Sequence, residues 1–167
     1  MNRINGYRNA FSYIRRERAR TVIGYGLKEL GNGLYEWYEV YLYKKKTPIV
    51  DFDMVKEAIL KDIDSQTDEQ ILSGFVWNDI PVWLSSEHQF DYKAAYDIAY
   101  QTNGANLPIR FKLGEDDESN PIYHTFKTIE ELSDFYIKGI SFINQTLEEG
   151  WARKDSINWE DYVIHTE

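Results

Sequence analysis

The sequence predicts an α+β fold of repeated β-hairpin–helix units, an antiparallel sheet packed against helices, with a long C-terminal helix. A hairpin signal followed by a helix signal occurs three times, at about 21–44 then 52–63, 72–84 then 87–101, and 107–126 then 129–149. Of the 167 residues 43% are hydrophobic and 16% aromatic, enough large side chains to fill a real core. Cysteine is absent, which excludes a disulfide framework, a thiolate nucleophile and a cysteine zinc site together. Two parts are expected: residues 1–50, a basic arm and an aromatic β-hairpin, and residues 51–167, an α+β core domain.

The arm comes first. Residues 1–20 hold six arginines against Glu17, a net of +5, so the total of −9 leaves −14 on the rest of the chain. Such an arm either touches nucleic acid or folds back on acidic surface, its own or a second subunit's. The acidic body would repel a phosphate backbone, so nucleic acid is not the expected partner. Ile4, Tyr7, Phe11 and Ile14 follow 3-4-3 spacing, which predicts a short amphipathic helix.

Thr21–Leu30 and Leu34–Lys44 flank Gly31-Asn32-Gly33, residues suited to the positive φ of a tight hairpin turn. Alternation along 34–44 sets Tyr38, Val40 and Leu42 on one face and Tyr35, Trp37, Tyr41 and Tyr43 on the other. A strand apolar on both faces is either sandwiched, by helices or a second subunit, or presents its rings to a sugar or protein. The run Lys44-Lys45-Lys46 then closes the segment as a solvated strand end.

Asp51 or Asp53 can cap the first helix, whose core stripe is Phe52, Val55, Ile59 and Ile63. The second hairpin turns on Asn78-Asp79, and Pro81 marks an edge because it has no N–H for the ladder. Ser86 with Gln89 forms a capping box for a helix with Phe90, Ala94 and Ile98 as its stripe and a small strip at Ala95 and Ala99. The third hairpin alternates from Leu107 to Leu113 and returns through Ile122–Phe126 after an acidic loop. Thr128 with Glu131 opens the last helix; Ile129, Leu132, Tyr136, Ile140, Ile143 and Leu147 form its stripe, Phe135 and Phe142 a second one, and Gly150 its stop. Two stripes suit one face on the sheet and another, Phe135 and Phe142, on a partner, so a homo-oligomer is expected.

Few residues suggest catalysis. His88, His124 and His165 share no metal-ligand spacing, and Ser85 and Ser86 beside His88 are better explained as helix caps than as nucleophiles. Gly24-Tyr25-Gly26 lacks the lysine and Ser/Thr of a phosphate loop, and Asn144-Gln145-Thr146 lies inside a predicted helix. The acidic stretch 62–69 resembles a calcium loop but has Thr67 at its sixth position and Ser73 at its twelfth, where glycine and an acid are needed. No enzyme activity, metal or cofactor is expected. No apolar run approaches the about 18 residues of a membrane span, and residues 1–20 carry no signal-peptide core, so a chain cytoplasmic at synthesis, without a membrane partner, is expected.

The runs Ile71–Asn78, Pro81–Ser85, Tyr92–Tyr96, Leu107–Lys112, Tyr123–Phe126, Phe135-Tyr136 and Glu149–Trp151 resemble a domain family of unknown function. That family occurs in phage and prophage proteins and gut Bacteroidetes genomes, often near tail or tail-fibre genes. The likeness covers about residues 55–160. It implies a phage- or prophage-derived structural or assembly protein, tail-associated, acting through protein–protein contacts and associated with a virion. The alternative from the residues themselves is a small-ligand or glycan-binding module using Tyr35, Trp37, Tyr41 and Tyr43.

Overall fold

A computed structural model describes residues 3–44, 46 and 49–163. It is an α+β protein of antiparallel sheets and three helices, ending in a long helix as expected. The chain divides into two compact units, Met1–Gln66 with Gly150–Glu167, and Thr67–Glu149. This division does not follow the expected boundary at 50/51. The first half of helix α1 (Phe52–Ser73) covers the aromatic hairpin and therefore groups with it.

In the first unit, strands β1 (Arg3–Tyr7), β2 (Ile14–Arg16), β3 (Arg20–Gly31) and β4 (Leu34–Tyr43) form one antiparallel sheet in the order β1-β4-β3-β2. The β3–β4 turn takes φ of 97°, 54° and 73° at Gly31, Asn32 and Gly33, the left-handed values that this residue run was read to supply. One sheet face carries Ile23, Tyr25, Tyr38, Val40 and Leu42. It packs on Val55, Ile59 and Ile63 of α1, all fully buried, and on Tyr162 of a 3-10 turn at Trp159–Tyr162. The α1 stripe read from the sequence is thus the one observed, and Asp51 caps it, its carboxylate accepting from Met54 N at 2.9 Å.

The opposite face is covered by the arm, which is not the amphipathic helix expected. A hairpin has two open edges, and the arm's backbone closes both, β1 on β4 and β2 on β3. Between these strands Phe11 lies over Gly24 and meets Trp37 edge-on at 5.9 Å. A Cβ on Gly24 would stand 2.5 Å from Ser12 O, so only glycine admits this crossing. The 3-4-3 spacing of the arm was misleading because Phe11 is buried by a chain that crosses the sheet, with no helix period involved. The arginines fold back on acidic partners: Arg3 pairs with Glu36, Arg15 with Glu39 at 3.6 Å, and Arg20 with Glu17 at 2.7 Å.

The second unit holds hairpins β5 (Phe75–Trp77)–β6 (Ile80–Val82) and β7 (Ile109–Glu115)–β8 (Pro121–Phe126), helix α2 (Ser86–Gln101) and most of α3 (Ile129–Asp155). Asn78 and Asp79 adopt φ of 49° and 63°, as the turn requires. The edge expected at Pro81 is approached by β7: Trp83 N donates to Leu113 O at 2.8 Å, and a Cβ on Gly114 would meet Pro81 O at 2.4 Å. α2 is capped by Ser85, one residue before the expected Ser86, its hydroxyl accepting from His88 N at 3.3 Å. Its buried face is Tyr92, Ala95 and Ala99, so Phe90 and Ile98 of the expected core stripe point to solvent. Thr128 caps α3 as expected, accepting from Glu131 N at 3.2 Å.

Two helices run past their expected ends. α1 continues through the acidic stretch 62–69, and α3 passes Gly150 to Asp155, since one interior glycine costs only about 1 kcal/mol against alanine. Among the described residues no helix is long and apolar enough to cross a membrane.

Phe135 is a correction of more consequence. Expected on an oligomer surface, it is 1% exposed at the centre of this unit's own core. Its ring lies 4.9 Å from Tyr92, 5.0 Å from Phe126 and 5.3 Å from Trp77. Phe142 is half-buried against the same core, 5.4 Å from Phe75. The two stripes read along α3 are one broad buried face, because 132, 135, 139, 142, 143 and 146 fall within a single helical arc.

Phe135→Ala is expected to lower unfolding free energy by about 3–5 kcal/mol in urea denaturation, the cost of an aromatic cavity. Tyr92→Phe is expected to stay within about 1 kcal/mol of the parent or above it, because the Tyr92 hydroxyl is buried with no hydrogen-bond partner among the described residues. A loss above about 2 kcal/mol in Tyr92→Phe would show that the hydroxyl is paired.

Candidate functional site

The aromatic face of β4 is where the sequence placed a binding surface, and there the rings are engaged internally. Trp37 is 2% exposed under Phe11 and the Gly6 backbone, and its Nε1 donates to Glu39 at 3.3 Å. Tyr41 is half-buried, with the Arg20 guanidinium 4.1 Å from its ring centre. Tyr35 is half-buried, and of the four residues Tyr43 alone is exposed. The expected platform is therefore not formed. Neither a helix nor a second subunit is needed to cover it, since the N-terminal arm does so.

The other face of the same strands builds a concave site. Tyr25 and Tyr38 are cross-strand partners, stacked at 5.4 Å with planes 26° apart. Just beyond them the β3–β4 register shifts, and Gly26 takes φ +65° at that irregularity. A cavity of about 590 Å³ opens here, lined by Tyr25, Tyr38, Lys28, Arg153, Asp161 and Tyr162 among others, all of the first unit. The C-terminal end of α3 forms part of its wall, held by an ion pair from Lys154 to Asp64 and by Ser156 Oγ donating to Arg153 O at 2.8 Å. Asn158 then caps the 3-10 turn that presents Asp161 and Tyr162, and Tyr162 OH donates to Gly24 O at 3.0 Å.

A hydrogen-bond chain underlies the cavity. Tyr25 OH donates to Asp62 Oδ2 at 2.6 Å; Gln66 Nε2 donates to Asp62 Oδ2 at 2.7 Å and to Tyr25 OH at 2.9 Å. These bonds turn Gln66 Oε1 toward Arg153, whose Nη2 donates to it at 2.7 Å. The guanidinium also lies over the Tyr38 ring at 4.9 Å. Among the described residues no carboxylate forms an ion pair with Arg153; Asp62 is linked to it through Gln66. Of the acids lining the cavity, Glu36 pairs with Arg3, and Asp161 lies near Tyr13, whose phenol is raised by burial and by that carboxylate.

Among the described residues no group of three or more His, Asp or Glu is placed to hold a metal. In the acidic loop, Asp116 accepts from Glu118 N at 2.9 Å and Asn120 N at 2.8 Å. His88 stacks on Tyr92 at 5.9 Å, and His124 lies against Trp77 with Nε2 2.8 Å from Glu131. His165 lies outside the described residues.

Sequence reasoning missed Tyr25, Asp62, Gln66 and Arg153 as a group. The turn at Gly31-Asn32-Gly33 implies the Tyr25–Tyr38 pairing once the register shift is allowed for. Nothing local relates Arg153 to residues 87 positions earlier.

Burial and then the Asp62 hydrogen bond raise the Tyr25 phenol well above its ordinary value. A raised folded pKa contributes stability that is present below the unfolded tyrosine pKa of about 10 and is lost as pH rises beyond it. Urea midpoints are therefore expected to hold up to about pH 10 and fall above it, and to fall less steeply in Tyr25→Phe. An unchanged slope in that variant would show that Tyr25 does not carry the effect.

No protein-family model, curated protein or solved structure matches the chain.

Proposed function

We propose that the protein is a non-enzymatic binding module whose site is the tyrosine-lined cavity of the first unit. One observation carries this reading: a concavity of about 590 Å³ whose walls combine stacked tyrosines with an arginine that has no acid partner among the described residues. Small-molecule sites commonly span roughly 300–1,000 Å³ and join apolar walls to a few fixed polar groups. The ligand-binding alternative drawn from the sequence is thus kept, but on the Tyr38 face of β4, opposite Trp37. Saturation-transfer NMR against a library of small aromatic and sugar fragments tests it. Fragments are expected to bind the parent and to lose binding in Leu27→Trp, which fills the cavity from its lining. Equal signals from both proteins would reject the cavity as the site.

A second reading is favoured by α2. Its outer half exposes Phe90 at 71%, Ile98 at 49% and Tyr100 at 71%. Exposed aromatic residues of this kind anchor protein contacts. This supports the structural or assembly role, with self-association as its simplest form; the phage and tail provenance rests on the sequence resemblance. Light scattering across a concentration series is expected to show an oligomer that Phe90→Glu dissociates. A parent protein monomeric at every concentration would remove self-association.

A further inference from the structure

We infer that the cavity of the first unit takes a small organic oxyanion, a carboxylate or a phosphate monoester with an apolar body, and that Arg153 is its anchor. This rests on the cavity being the binding site. The half-buried Arg15 and Arg20 have acid partners, whereas Arg153, also half-buried, has no ion pair among the described residues. Of the lining acids Glu36 is paired with Arg3, and the two cations Arg153 and Lys28 outnumber the one remaining acid, Asp161.

Geometry strengthens the point. A guanidinium has five N–H donors in a planar fork that matches two oxygens of a carboxylate or phosphate. Nη2 of Arg153 gives one hydrogen bond to Gln66, and the Tyr38 ring lies against the guanidinium, so its orientation is set. Gln66 is itself held by Asp62 and Tyr25, which fixes its oxygen toward the arginine. An anchor ordered before binding loses little side-chain freedom when the ligand arrives. The half-buried rings of Tyr13 and Tyr38 supply the apolar wall beside it.

Isothermal titration calorimetry on the full chain with phenylacetate, phenyl phosphate and neutral phenylacetamide tests the inference. One of the oxyanions is expected to bind at least about tenfold more tightly than phenylacetamide, as hydrogen bonds to a charged group imply. The tighter of the two identifies the headgroup class. Arg153→Gln is expected to remove that advantage. Arg153→Lys, which keeps charge but loses the fork, is expected to retain part of it and serves as the test if Arg153→Gln does not fold. Equal affinities for the three probes, or an oxyanion advantage that survives substitution of Arg153, would overturn the anchor while leaving the cavity as a binding site. Absence of binding by all three probes also overturns it; if the fragments of the NMR screen are silent as well, the cavity reading falls with it.

Discussion

A strand with large side chains on both faces must be covered twice, and β4 imposes that requirement on the first unit. Tyr38, Val40 and Leu42 meet α1, while Trp37 and Tyr41 meet the N-terminal arm. Each cover solves a different problem. The helix supplies a stripe of Val55, Ile59 and Ile63 whose burial is complete and apolar. The arm supplies backbone to both open edges of the hairpin, so the sheet gains hydrogen bonds and its outer edges become the shorter strands β1 and β2. Gly6 and Gly24 are the positions where this requires the absence of a Cβ.

The second unit rests on aromatic packing around one ring. Phe135 touches Tyr92, Trp77, Phe126 and Phe75, which come from α2 and from both hairpins. A chain without cysteine has no disulfide to brace such a core, and aromatic rings supply its packing. Trp77 adds a polar tie, its Nε1 donating to Asp134 at 2.9 Å, one residue before Phe135.

The cavity of the first unit follows from the same strands. Stacking of Tyr25 on Tyr38 sets one wall, and the register shift after Tyr25 turns β3 away from regular pairing. Burying the Tyr25 hydroxyl demands a partner, and Asp62 answers from α1; Gln66, one turn further on, completes the set and reaches Arg153. A structural need for hydrogen bonding thereby orients a cation at a concave surface. That link between packing and electrostatics is why the functional reading centres on this place and not on the exposed Tyr43.

The local chemistry of the chain was enough to determine the α+β class, the turns at Asn32 and at Asn78-Asp79, the α1 stripe and the cap at Thr128. Each depends on neighbours within a few residues. Tertiary structure alone decided that the arm is a pair of strands, that Trp37 is covered, that Phe90 is outside and Phe135 inside, and that α1 and α3 run past their expected ends. Those outcomes depend on which surfaces meet, and apolar spacing says only that a face will be covered, not by what. The candidate site belongs to the second kind: Tyr25, Asp62, Gln66 and Arg153 come from one strand and two helices, and only the folded chain brings them together.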